Sequence, residues 1–215
     1  MQESSKLRDR LRILLILYFF SEDRTHPKLS DCVKLLESEV KIQKIDFLLR
    51  YPSYFCYELI LLIRDRQIKD GEEIKAIIKE IFGSKEPQIR TQEMQRFFFG
   101  AFEKLDNVIA FLKSLNLIHY ESDRSIDGRI VNKKYWVTKK ACNAIKNSLL
   151  ELESIKWYSE RCKLIHSFFG GLSGTELKEM QYEIEEYKNA SLNSYIQDIE
   201  QKTKDLFFRQ FKESL

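Results

Sequence analysis

Three histidines, four cysteines and 33 acidic side chains are the material from which this 215-residue chain could build a reactive or metal-binding centre. Their spacing argues against one. Cys32, Cys56, Cys142 and Cys162 include no CxxC pair, and His26, His119 and His166 are scattered among them, so the ligand spacing of a zinc site is absent. The cysteines therefore read as reduced, packed thiols, and His119 as a residue on a strand surface. No HExxH helix or GxSxG elbow places a histidine beside a nucleophile. Nucleotide phosphate has no evident cradle either: GxxxxGK[ST] and GxGxxG are both missing, and Gly170–Gly171 follows a helical segment where a phosphate loop would open one. The expectation is a chain with no catalytic residue, no cofactor and no metal.

Two charge clusters remain. Glu176, Glu179, Glu183, Glu185 and Glu186 could gather a divalent cation, but acids are also enriched on exposed helix faces and in first turns, so Glu176, Glu179 and Glu183 read as an acidic docking face. Between His119 and Lys140 stand six cations, Arg124, Arg129, Lys133, Lys134, Lys139 and Lys140, against three acids, Glu121, Asp123 and Asp127. Such a stretch can touch DNA phosphates without reading sequence. The helix before it offers base edges only Lys104, Asn107 and Lys113, while Glu103 and Asp106 would repel phosphate. Loose backbone contact fits these residues, and so does a solvated hairpin with no nucleic-acid role.

The elements that must carry these groups are mostly helical. The chain is 43% hydrophobic and 32% charged, with only seven glycines and three prolines, and its net charge of +3 is too balanced for a dedicated nucleic-acid coat. Leu7, Leu11, Leu14, Leu15, Tyr18 and Phe19 predict a helix over residues 5–21, apolar all round, that is either buried centrally or part of a dimer interface. After a loop at 22–28, Ser30 or Asp31 caps a second helix that stops at Tyr51 before Pro52, and Ser53 caps a third. A break at Lys69–Gly71 precedes a helix ending at Gly83, and helix resumes from Thr91 through the FFFG cluster to Leu115.

LIHYES, DRSIDGR and IVNKKYWVT then read as strand, turn and strand, followed by a helix capped by Thr138. Helix, hairpin, helix is the order of a winged-helix module over residues 102 to 149, with its earlier helices drawn from 71–100. Three more helices follow: 153–169, one across SGTELKEMQYEIEEY with a Ser173/Glu176 capping box, and 192–211. The predicted fold class is mainly α with a small β-hairpin wing. Its divisions are an N-terminal helical region for dimer or partner contact (1–70), the winged helix (71–152) and a C-terminal helical region (153–215). The apolar run Leu11–Phe20 is too short to span a bilayer and the N-terminus lacks a signal-peptide pattern, so the expected location is the cytoplasm, without membrane contact.

KIQKIDFLLRYPSYFCYEL (Lys41–Leu59) and GGLSGTELKEMQY (Gly170–Tyr182) resemble the middle components of ABC-three-component systems, including the small third subunit of Lamassu-type bacterial defence complexes. With the winged helix, the resemblance covers most of the chain. It implies a KITE-like accessory subunit that accompanies an SMC/Rad50-like coiled-coil ATPase, links it to an effector nuclease subunit, and holds the effector inactive until foreign phage or plasmid DNA is sensed. Within the first stretch, Asp46 and Arg50 stand i, i+4 and Phe47 and Tyr51 are aromatic neighbours, which suits either a partner anchor or an ion pair closing the helix. The alternative expectation is a dimeric winged-helix transcription regulator whose first and last helices form a homodimer. An enzyme with a divergent site comes last.

Overall fold

A computed structural model describes residues 2–65, 71–98, 100–128, 130–147 and 153–215. Along these the chain runs α1 (Gln2–Phe20), β1 (Glu22–Asp23), β2 (Cys32–Leu36), α2 (Glu39–Arg50), α3 (Pro52–Arg64), α4 (Gly71–Gly83), α5 (Glu86–Arg90), β3 (Gln95–Phe97) and β4 (Gly100–Phe102). It continues through α6 (Asp106–Ser114), β5 (Ile118–Arg124), β6 (Ile130–Thr138), α7 (Lys139–Asn147), α8 (Glu153–Phe169), α9 (Gly174–Tyr182), α10 (Glu185–Asn189) and α11 (Glu200–Phe211). Helix dominates, as composition predicts. The Lys69–Asp70 break, Phe99 of the aromatic cluster, Arg129 and the 148–152 end of the helix after Thr138 lie outside the described residues. No helix among those described is long and apolar enough to cross a membrane.

Two compact units form, each from two stretches of chain: Met1–Asp46 with Glu103–Leu177, and Phe47–Phe102 with Lys178–Leu215. This division by contact crosses the sequence boundaries at 70 and 152, and residues 71–100 fall in the second unit.

In the first unit, α1 is central. Ile13 through Leu17 are at most 3% exposed, and the helix packs against α6, α8, β2 and β6. The sheet beside it is antiparallel in the order β1-β2-β6-β5. The predicted hairpin forms as read, with Tyr120 opposite Tyr135 and His119 opposite Trp136. Residues 32–36, expected in the second helix, form a strand instead. Leu35 pairs with Trp136 and Leu36 with Tyr135, and Cys32, Leu35 and Trp136 form one buried cluster, a tertiary pairing that overrides the helical spacing. The helix starts later because Ser38 Oγ accepts the Lys41 N–H at 3.1 Å.

Thr138 caps α7 as predicted, its Oγ1 accepting from Ala141 N at 3.2 Å. At the end of α8 a Cβ on Gly170 would sit 2.5 Å from the His166 carbonyl, and one on Gly174 would sit 2.6 Å from Ser38 Oγ. Only glycine allows these approaches. Lys41 Nζ also donates to the Gly170 carbonyl at 2.8 Å, so the starts of the two stretches quoted for the resemblance pack on each other.

In the second unit, α3 packs against α4, α5 and α11. Pro52 opens α3 at a position that needs no N–H, while Ser53 does not cap it and instead donates to Asp198 Oδ2 at 2.8 Å. The helix expected from Thr91 to Leu115 forms only in its last part, as α6, and the β3–β4 hairpin stands in its first part. Gly100 sits at φ +96 inside the β3–β4 hairpin, and the backbone around Met94 and Arg96 bonds residues 193–196. A turn with Asn193 at φ +62 and the pairing of 193–196 with the hairpin take this segment out of the helix, and α11 begins at Glu200 and not at Leu192. The predicted 173–187 helix divides into α9 and α10.

Candidate functional site

The cations of the β5–β6 hairpin and the start of α7 are unequally free. Arg124 is exposed at the end of β5, beside a turn closed by Gly128 N donating to the Ser125 carbonyl at 2.9 Å with Gly128 at φ +80. Lys133 is ion-paired with Glu39, and Lys134 lies 4.0 Å from Glu37. Lys139 and Lys140 are exposed in the first turn of α7, with Lys140 donating to the Leu115 carbonyl at 2.7 Å. Arg129 lies outside the described residues. On α6, Asp106, Asn107 and Lys113 are exposed, and Lys104 stands 3.9 Å from Asp106. The face is cationic only in part.

The fold brings together a group that sequence spacing did not reveal. Donor atoms of His26, His119 and Glu121 all lie within 4.8 Å of one another, a metal-like set. Hydrogen bonding decides against that use. His26 Nδ1 accepts two backbone N–H groups, from Lys28 and Leu29, each at 3.0 Å, so this nitrogen carries no proton. The ring proton is on Nε2, which donates to Glu121 Oε1 at 2.9 Å. A metal ligand normally donates through its second ring nitrogen, whereas a cation on Nε2 here would require an imidazolate.

The Trp136 indole donates to the other oxygen, Glu121 Oε2, at 3.1 Å. Hydrogen bonds from His26 and Trp136 hold the Glu121 carboxyl below its ordinary range despite partial burial. The trio is a clasp fastening the 26–29 loop to the hairpin. His119, half-buried on β5, stands 3.5 Å from Glu121 through Nε2. Strand alternation puts His119 and Glu121 on one face, the only part of this cluster that local spacing could have disclosed.

The residues expected to anchor a partner near Asp46 are buried instead. Asp46 accepts from Arg12 Nε, and Arg12 is 1% exposed, with Asp9 a further 2.8 Å contact. Burial alone would disfavour the guanidinium charge, but Asp46 and Asp9 raise its proton affinity above normal. Phe47 stacks on Tyr51 with centroids 4.6 Å apart and meets Tyr54 and Tyr187 edge-on. The Tyr51 hydroxyl accepts from Met94 N and donates to the Ile196 carbonyl, both at 2.9 Å. Arg50 donates to the carbonyls of Gln92 and Glu93. These side chains hold the fold together and present no docking surface.

Of the acidic face, Glu176 belongs to the predicted capping box: it accepts from Ser173 N at 2.7 Å while Ser173 Oγ accepts from Glu176 N at 3.2 Å. Glu179 and Glu183 are exposed. Glu58, a carboxyl outside the sequence candidates, is 2% exposed within α3, and its Oε1 has no hydrogen-bond partner among the described residues. Burial, with smaller contributions from Glu183 and Asp65, pushes its pKa well above the ordinary glutamate value. A glutamate inside the apolar run YFCYELILLI was the available signal. All four cysteines are buried and free, as read from the sequence. Comparison with known proteins finds no matching family model, no similar curated protein and no similar solved structure.

Proposed function

We propose that this chain is a non-catalytic scaffold and regulatory subunit built on a winged helix, linking an SMC/Rad50-like coiled-coil ATPase to an effector nuclease in bacterial defence against phage or plasmid DNA. One observation carries the winged-helix part. Apart from the two-residue edge strand β1, the first unit runs α1, β2, α2, α6, β5, β6 with β6 between β2 and β5 in the sheet, an order that matches the helix-strand-helix-helix-strand-wing-strand order of that fold. Its early helices are then α1 and α2 in place of those at 71–100, and along the chain residues 51–102 stand between its second and third helices.

Support for the partnership comes from the resembling stretches at Lys41–Leu59 and Gly170–Tyr182, which pack on each other through Lys41, Gly170 and Gly174. Sequence-specific reading of an operator is disfavoured by the nine-residue α6 with Asp106 in its first turn and by the ion pairs of Lys133 and Lys134. Arg124 and Lys139 suit at most contact with DNA backbone. Co-expression with the products of the neighbouring genes tests the reading. The chain is expected to co-elute with a coiled-coil ATPase at near-physiological salt, and elution apart from both ATPase and nuclease would overturn it.

A further inference from the structure

Where the loop before β2, the end of α6 and the first turn of α7 meet, the first unit holds an open cavity of about 670 Å³. Lys28, Lys113, Lys140 and His119 line it, with Asp31 the one acid among its lining residues. None of the three lysines has a carboxylate within ion-pair distance among the described residues, whereas Lys34, Lys75, Lys133 and Lys202 each have one. Among the described residues, the Lys140 ammonium hydrogen-bonds the Leu115 carbonyl. Cations facing a shared concavity repel one another, and its low-dielectric walls concentrate their potential, so an anion entering it relieves an unfavourable arrangement.

Two features add to this. The positive end of the α7 dipole, marked by the Thr138 cap, opens on the same cavity. His119 contacts Glu121 through Nε2, which leaves Nδ1 for a ligand. Leu29 and Ile118 supply apolar lining, and the volume lies in the range of small-ligand sites.

We propose that this cavity binds a phosphate-bearing small molecule of nucleotide size, with Lys28, Lys113 and Lys140 on the phosphates. The site is separate from the wing turn. Ile118 begins β5 and Thr138 ends β6, whereas the turn joins their opposite ends, about 20 Å away along a seven-residue strand. It also stands independently of the ATPase partnership.

Calorimetric titration of the full chain with ATP and with sodium tripolyphosphate, at near-physiological salt, tests the assignment. ATP is expected to bind, and Lys28→Gln and Lys113→Gln are each expected to weaken it about tenfold. Lys156→Gln, which alters a lysine facing Glu160 on α8, is expected to leave binding unchanged. Equal binding of tripolyphosphate assigns the recognition to phosphate; binding of ATP alone assigns part of it to the nucleoside. Failure of both probes to bind, or ATP binding unaffected by the cavity substitutions in chains whose circular dichroism is intact, would overturn the proposal. So would duplex DNA binding that depends on these lysines while ATP does not bind.

Discussion

At the scale of single residues, a buried ion pair and a buried carboxyl act on stability in opposite directions. Arg12 and Asp46 are a desolvated pair whose separation leaves a guanidinium inside the first unit. Asp46→Ala is expected to cost about 3–5 kcal/mol, seen as a lower urea midpoint. A loss below about 1 kcal/mol would mean that Asp9, 2.8 Å away, and Glu103, 3.8 Å away, suffice for Arg12. Glu58 costs stability where it stands. Above the ordinary glutamate value of 4.5 the unfolded chain releases the proton that the folded chain keeps. The folded state then binds more protons, so the contribution of Glu58 is greatest below that value and is lost as pH rises toward the elevated folded one. Glu58→Gln is expected to raise the melting temperature at pH 7 to 8 and to flatten its fall with pH. The gain is about 1.4 kcal/mol, or roughly 3–6 °C, for each tenfold difference in proton affinity. An unchanged pH slope would contradict this.

At the scale of elements, the clasp ties a loop to a hairpin and so positions Lys28 beside the cavity. His26→Ala removes the shared acceptor of the Lys28 and Leu29 amides. Both are expected to exchange faster with solvent deuterium, with a stability loss of about 1–3 kcal/mol. Parent-like exchange at both amides would show that the loop is held otherwise. The elements legible in the sequence are those with local signals: the alternating hairpin with its Gly128 turn, the Thr138 cap, the Pro52 break and the Ser173/Glu176 box. Strand β2 was hidden because Val33, Leu36 and Val40 also fit a helical period, and only pairing with Trp136 makes the segment extended. The clasp was hidden because His26 lies 95 residues from Glu121. Phe47 and Tyr51 look the same in sequence on a surface or in a core, and the aromatic packing around them is decided by residues far along the chain.

At the scale of the whole molecule, charge is distributed too evenly for electrostatics to define the function. The first unit has 21 Lys and Arg against 17 Asp and Glu, a net of +4, and the second 15 against 16, a net of −1. Two of the six cations of the hairpin and the start of α7, Lys133 and Lys134, face Glu39 and Glu37. A surface with this charge distribution suits docking on protein better than reading an operator, which makes the proposed assembly the point to test. Light scattering on the purified chain mixed with the coiled-coil ATPase proposed as its partner, after nuclease treatment to remove DNA bridges, measures that directly. The account predicts a complex of defined mass that persists without nucleic acid. Two unassociated species, with protection of a specific sequence in the chain's own promoter, would contradict it.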